Sequence, residues 1–294
     1  MYKSIEVRKL SPALGAELNG VDLSRPLSDV QQEEIRRAWM ENLVIVFRDQ
    51  VLSRRQHLSF AGLFGELHVH PATALPEDDP EILVVKADET SSDVAGEDWH
   101  SDVSCEGAPP MGSLLYMTVV PPDGGGDTLF ANMYLAYESL SEPIKQLIRG
   151  RTAVHDGKHV FDRPGYRDGR TFPRAEHPIV RTHPVTGRQA LFVNRVFTTH
   201  ISGVNKNESD AILEMLFRHI ESPEYSVRVH WRPNSLTCWD NRCAQHRALW
   251  DYFPHRRYAE RATVRGDQPF YRPGEEQAPE ALAKPPLYRQ RVPA

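Results

Sequence analysis

Residues 97–105 read EDWHSDVSC, and within them His100 and Asp102 stand one residue apart behind Trp99. If this is a strand, its side chains alternate with period two, and both metal-capable groups project from one face. A His-x-Asp pair decides little by itself, because a chain with 13 histidines always offers a distant partner. The stretch that can complete it is WDNRCAQHRALWDY, residues 239–252, where His246 follows Trp239, Asp240, Asn241 and Arg242. Two histidines and one carboxylate form the facial triad of non-haem iron(II) oxygenases, which leaves positions open for a bidentate co-substrate and for dioxygen. A zinc hydrolase can be built from the same ligand types. Spacing alone leaves both readings open.

The surrounding chain reads as short strands between turns. Apolar or alternating runs at 81–85, 112–120, 177–194, 225–231 and 261–266 predict strands, and HPVTGRQALF within the third carries the Thr and Gly of a tight hairpin. LVIVF at 43–47 predicts a buried strand. Helices are expected over SDVQQEEIRRAWMEN, with Ser28 and Gln31 in capping-box spacing and Val30, Ile35, Ala38 and Trp39 on one face, and over SRRQHLSFAGLFG, where Ser53 and Gln56 repeat the device. SEPIKQLIRG (141–150) and ESDAILEMLFRHIES (208–222) are two more. Strands not separated by regular helices argue against a parallel doubly wound sheet. A mainly β fold, a sandwich or jelly roll with peripheral helices, fits better.

The 294 residues, 40% of them hydrophobic, suffice for a sizeable core, and one domain is expected over residues 1–294. A formal charge of -5 argues against nucleic acid as a partner. No apolar run is long enough to span a membrane, and the opening MYKSIEVRKLSPALGAEL does not read as a secretory signal. Cys105, Cys238 and Cys243 cannot all pair and show no CxxC spacing, so reduced thiols in a cytoplasmic protein are expected. The polar stretches 71–80 with 88–99, and 155–176, are candidate lids. From Arg272 the chain carries five prolines, and an extended tail packed on a neighbouring subunit of a homo-oligomer, dimer or tetramer, is expected.

The chain resembles the Fe(II)/2-oxoglutarate-dependent dioxygenases of the taurine dioxygenase (TauD/TfdA) family over nearly its whole length. FGELHVHP (64–71), WHSDVS (99–104), GGDTLFANM (125–133) and residues 239–267 carry the resemblance, and VRTHPVTGRQALFVNRVFTTHI (180–201) is close to the taurine enzymes in particular. It implies a double-stranded β-helix, the jelly roll, with iron(II) held by His100, Asp102 and His246. It also implies that Arg257, 11 residues beyond His246, and Thr128 hold the distal carboxylate of 2-oxoglutarate, an assignment that suits the planar guanidinium fork. The glycines of DGGGDT are read as turn residues only, since no phosphate-loop pattern follows.

In the taurine enzymes a histidine and an arginine hold the sulfonate, and these match His70 and Arg261. Residues 257 and 261 are an even number apart, so both can face one side of a strand. Val103, Phe161 and Phe197 match pocket-wall positions. The amine end differs: Thr73 stands where those enzymes have tyrosine, Gly96 where they have asparagine, and Val160 aligns with a lid serine. An ammonium left unpaired on desolvation is costly, so the expected substrate is a small amine-free anion. Alkyl sulfonates or sulfate esters come first and aryloxyalkanoates second. Hydroxylation would yield succinate, carbon dioxide and sulfite or sulfate, a place in sulfur metabolism. A non-catalytic binding protein on the same fold is the rival of another class. Asp240 and Asn241 receive no chemical role, and Trp239 is assigned to the core or the pocket wall.

Overall fold

Alternation along the apolar strand Val44–Phe47 sets the layering of the molecule. The computed structural model describes residues 2–71, 79–94, 96–162 and 172–273. Val44 and Val46 face one apolar cluster together with Leu115, Met117, Phe130 and Trp239. Ile45 and Phe47 face the other, with Leu114, Tyr116, Leu236, Ile35, Trp39 and Phe60. A strand covered on both faces loses its polar alternation and reads as a continuous apolar run. The near side packs on a second sheet and the far side under two helices.

The main sheet runs, in spatial order, Glu6–Lys9, Ala16–Asn19, Val44–Phe47, Ser235–Asp240, Gly112–Val119, Arg257–Val264 and Leu67–His68, and Ile82–Ala87 also pairs with Arg257–Val264. The facing sheet is Ser226–Val229, Thr128–Asn132 and Ala244–Ala248, all antiparallel. Thr198–Ile201, Thr152–Asp156 and Arg174–Pro178 form a third, and Val180–Thr182 pairs with Gln189–Leu191 in the expected hairpin. Two facing sheets, antiparallel except where Ala16–Asn19 runs parallel to Val44–Phe47, joined by non-sequential neighbours give the jelly roll.

The covering helices start where their caps dictate. Asp29–Asn42 and Arg54–Gly62 each begin with a complete capping box, Ser28 with Gln31 and Ser53 with Gln56. Val30 departs from the expected apolar face: it is 52% exposed while Ile35, Ala38 and Trp39 are buried. The helix expected over 208–222 runs Lys206–Ile220, because the Asn205 side chain accepts from Glu208 N and caps it earlier. Short strands such as Thr128–Asn132 and Ala244–Ala248 were not expected from the pattern, as they are held by their neighbours rather than by β-branched composition. No helix among the described residues is long and apolar enough to cross a membrane.

Candidate active site and metal centre

His100 and Asp102 do not lie on a strand, so period-two alternation is not what aligns them. His100 forms an isolated antiparallel bridge with His246, His100 N donating to His246 O at 3.0 Å and the reverse at 2.9 Å. Asp102 then opens a turn in which Val103 has φ +45° and Glu106 N donates to Val103 O. The bridge, reinforced by pairing of Ala244–Ala248 with Thr128–Asn132, joins the two motifs across 146 residues.

The three side chains converge in a buried space between the sheets. Asp102 Oδ1 lies 3.7 Å from His100 Nε2 and 4.0 Å from His246 Nε2. The His100 Nδ1–H donates to Asp98 O at 2.8 Å, which fixes the tautomer with a lone pair on Nε2, toward Asp102. Burial holds both imidazoles below the ordinary histidine range, His246 the further, so both stay neutral. Burial alone would raise the Asp102 carboxyl, but Arg261, then His246 and His100, hold it well below the usual carboxylate range. Two neutral imidazoles and an anionic carboxylate are the donor set a divalent metal needs, and these residues fit iron(II).

Arg257 and Arg261 both lie on the strand Arg257–Val264 and face its buried side. Arg257 Nε donates to Gly126 O at 3.2 Å, and its guanidinium lies 5.9 Å from the ring centre of Trp231. Among the described residues no carboxylate lies within ion-pair distance of it; burial lowers its pKa, against Tyr252 and Asp127, which raise it. A buried guanidinium with no direct ion pair can take a carboxylate. Thr128 stands alongside, its Oγ1 accepting from Trp231 Nε1 at 3.0 Å. The glycines of 124–126 do more than turn the chain. Gly126 has φ +80°, and a Cβ there would meet Arg257 Cδ at 3.0 Å, so glycine lets the backbone close on the arginine.

Arg261 Nη1 donates to Asp102 Oδ1 at 2.6 Å. His70, half-buried just past Leu67–His68, carries its ring 6.0 Å from that of Phe161. Burial, with Arg261 next, keeps it neutral. Phe161 and Phe197 join Val103 and Cys105 in a small apolar cluster against which Val160, Phe172 and Val196 pack. Gly96, at φ +87°, passes over the His100 ring, where a Cβ would sit 3.1 Å from Cε1. Thr73 lies outside the described residues, as do residues 163–171 of one expected lid and 274–294 of the tail.

Reading by sequence missed the groups that hold these residues in place. Asn241 Oδ1 accepts from Trp239 Nε1 and from Asp102 N, so Asn241 serves the site as well as its own turn. Ser104 Oγ bonds His155 Nδ1 and accepts from Asn194 Nδ2, lacing the turn after Asp102 to the strands behind the apolar wall. A second cluster, His183, Asp240 and Cys243, also has metal-capable atoms close together. There Arg242 already donates to both Asp240 oxygens and His183 Nε2 bonds Oδ2 at 3.0 Å, so the carboxylate is fully engaged. That cluster is a buried ion pair beneath the turn that presents His246.

The profile of the family described as "Taurine catabolism dioxygenase TauD, TfdA family" matches residues 6–263. The chain belongs to this family. It is therefore a 2-oxoglutarate-dependent dioxygenase that uses iron(II) and dioxygen. An alpha-ketoglutarate-dependent sulfonate dioxygenase from Saccharomyces cerevisiae is 34% identical over 287 residues, 90% of this chain and 68% of that protein. An alpha-ketoglutarate-dependent sulfate ester dioxygenase from Pseudomonas putida is 33% identical over 278 residues, 90% and 91% of the two chains. The crystal structure of a taurine dioxygenase from Burkholderia xenovorans superposes with TM-score 0.79 at 37% identity, covering 91% of each chain.

Proposed function

We propose that this dioxygenase hydroxylates an amine-free alkyl sulfonate or alkyl sulfate ester, with His100, Asp102 and His246 holding iron(II). The observation that supports the substrate reading is the company around Asp102: Arg261 donates to it, and the neutral His70 ring lies 6.0 Å from Phe161, which clusters with Val103 and Phe197. The names of the yeast and Pseudomonas relatives agree with an organosulfur acid.

Iron(II) with 2-oxoglutarate supplies the oxidation, in which dioxygen converts 2-oxoglutarate to succinate and carbon dioxide and a substrate C–H becomes C–OH. The chain's own residues place the reactants. Arg257, beside Thr128, takes the distal carboxylate of 2-oxoglutarate. Arg261 matches the charge of the substrate's acid group, and His70, uncharged, offers it a hydrogen bond. The apolar cluster takes the alkyl chain and excludes water. A carbon bearing both hydroxyl and sulfonate collapses to an aldehyde and sulfite, and one bearing hydroxyl and sulfate ester to an aldehyde and sulfate.

The test is succinate formation by iron-loaded protein in air, with sulfite and sulfate measured alongside, across taurine, hexane-1-sulfonate, hexyl sulfate and an aryloxyacetate. Turnover of an amine-free organosulfur acid well above taurine is the expected result. Turnover of taurine at least as good as that of the longer acids overturns the substrate reading, and a preference for the aryloxyacetate replaces it.

A further inference from the structure

We infer that Ser113 is a positioning residue that restricts Asp102 to one-oxygen binding of the metal, and that Asn241 sets the direction of its hydroxyl. This rests on the ligand set proposed above. Ser113 Oγ donates to Asp102 Oδ2 at 2.6 Å, while Oδ1 is the oxygen that faces both histidines. The direction of each hydrogen follows from a closed chain of partners. Asn241 Oδ1 accepts from Trp239 Nε1 at 3.0 Å, an indole that can only donate, so the amide's Nδ2 faces the other way. Nδ2 donates to Ser113 Oγ at 3.0 Å, and the single Ser113 hydrogen is left for Asp102 Oδ2. Ser113, Asn241, Trp239 and Asp102 are all at most 2% exposed, so water does not compete.

The consequence is a count of coordination positions. Two histidines and a carboxylate bound through one oxygen leave three of six positions, two for the α-keto acid and one for dioxygen. A carboxylate bound through both oxygens leaves two, and the α-keto acid fills them. Each Asp102 oxygen holds one buried donor, Arg261 on Oδ1 and Ser113 on Oδ2, but only Oδ1 also faces both histidines; binding through both oxygens would have to turn Oδ2 away from a hydroxyl that water cannot replace. Nothing adjacent in the chain marks Ser113. It reaches the site through register, opposite Trp239 on one side and Thr263 on the other.

Nitric oxide, a dioxygen surrogate for iron(II), reads the third position without turnover. Under argon, the full-length protein loaded with iron(II) and 2-oxoglutarate is titrated with nitric oxide and followed by paramagnetic resonance. The charge-transfer band of the iron–keto-acid chelate reports 2-oxoglutarate affinity. Ser113→Ala is expected to bind 2-oxoglutarate within threefold of wild type but nitric oxide at least tenfold more weakly. Ser113→Cys keeps nearly the same volume, donates poorly and serves where the alanine variant folds badly; it should follow the same split, and Ser113→Thr should restore binding. Wild-type nitric oxide affinity in a folded Ser113→Ala or Ser113→Cys protein overturns the inference. If instead Asp102→Ala retains the wild-type charge-transfer band, the ligand assignment beneath it is wrong.

Discussion

Arg261 Nη1 lies 2.6 Å from Asp102 Oδ1, so the guanidinium proposed to meet the substrate is bonded to the oxygen that faces His100 and His246. Asp102 is 2% exposed, and Arg261 is the strongest of the positive influences on it. Removing one partner of a buried ion pair leaves the other uncompensated, at a cost of about 3–5 kcal/mol. Arg261→Gln should therefore lose about that much stability in chelator-treated protein. Cobalt(II) should recover most of it by taking over the charge. Urea unfolding with and without the metal measures both, and an equal loss in the two conditions would show that Arg261 acts through packing.

Arg257 is expected to act on the co-substrate and not on the metal. Arg257→Gln should raise the KM for 2-oxoglutarate about a hundredfold, the equivalent of a charge-assisted hydrogen bond of about 3 kcal/mol. Pyruvate, an α-keto acid without the distal carboxylate, should support the same weak succinate-free uptake of dioxygen in variant and wild type. A parallel loss with pyruvate would sink the assignment.

Metal titration should end at one ion per chain. The cluster of His183, Asp240 and Cys243 is engaged by Arg242, with Asp240 held well below the carboxylate range by that guanidinium against the opposing effect of burial. Asp240→Asn should cost about 3 kcal/mol by leaving Arg242 buried without its anion, while stoichiometry stays at one. Two equivalents bound in wild type, falling to one in this variant, would make the cluster a metal site.

Stability should fall on mild acidification. Burial pushes His57 down to about 4 and His155 to about 3. Their folded pKa values lie below the unfolded value of about 6.5, so this stabilisation is present above pH 6.5 and is lost as the pH drops toward the folded values. By pH 5 each contributes a loss of about 2 kcal/mol, at about 1.4 kcal/mol per unit. Urea midpoints at pH 7 and pH 5 test it, and His57→Gln, which can still donate to Leu114 O, should flatten the decline. An unchanged slope in that variant would show that His57 is already protonated when folded.

Ser28 with Gln31 and Ser53 with Gln56 start their helices as local chemistry requires, because a capping box involves four neighbouring residues. The run at 43–47 declares a strand buried on both faces, and the even spacing of Arg257 and Arg261 puts both on one side of theirs. Those features depend on residues close together in the chain. The ordered motifs around His100, Thr128 and His246 likewise carry the family, and with it the reaction class.

Position was decided by tertiary structure. His100 and Asp102 converge through a backbone bridge to His246 and a turn with φ +45° at Val103, not through strand alternation. Ser113, Asn241 and Ser104 become part of the site only when pairing registers lay distant segments side by side. Their hydroxyls and amide look ordinary in the chain, since a hydrogen bond to a buried carboxylate depends on a separation of about 3 Å in space. The local code thus determined the elements and the chemical inventory, and the folded sheets decided which oxygen of Asp102 faces the histidines and which is held by Ser113.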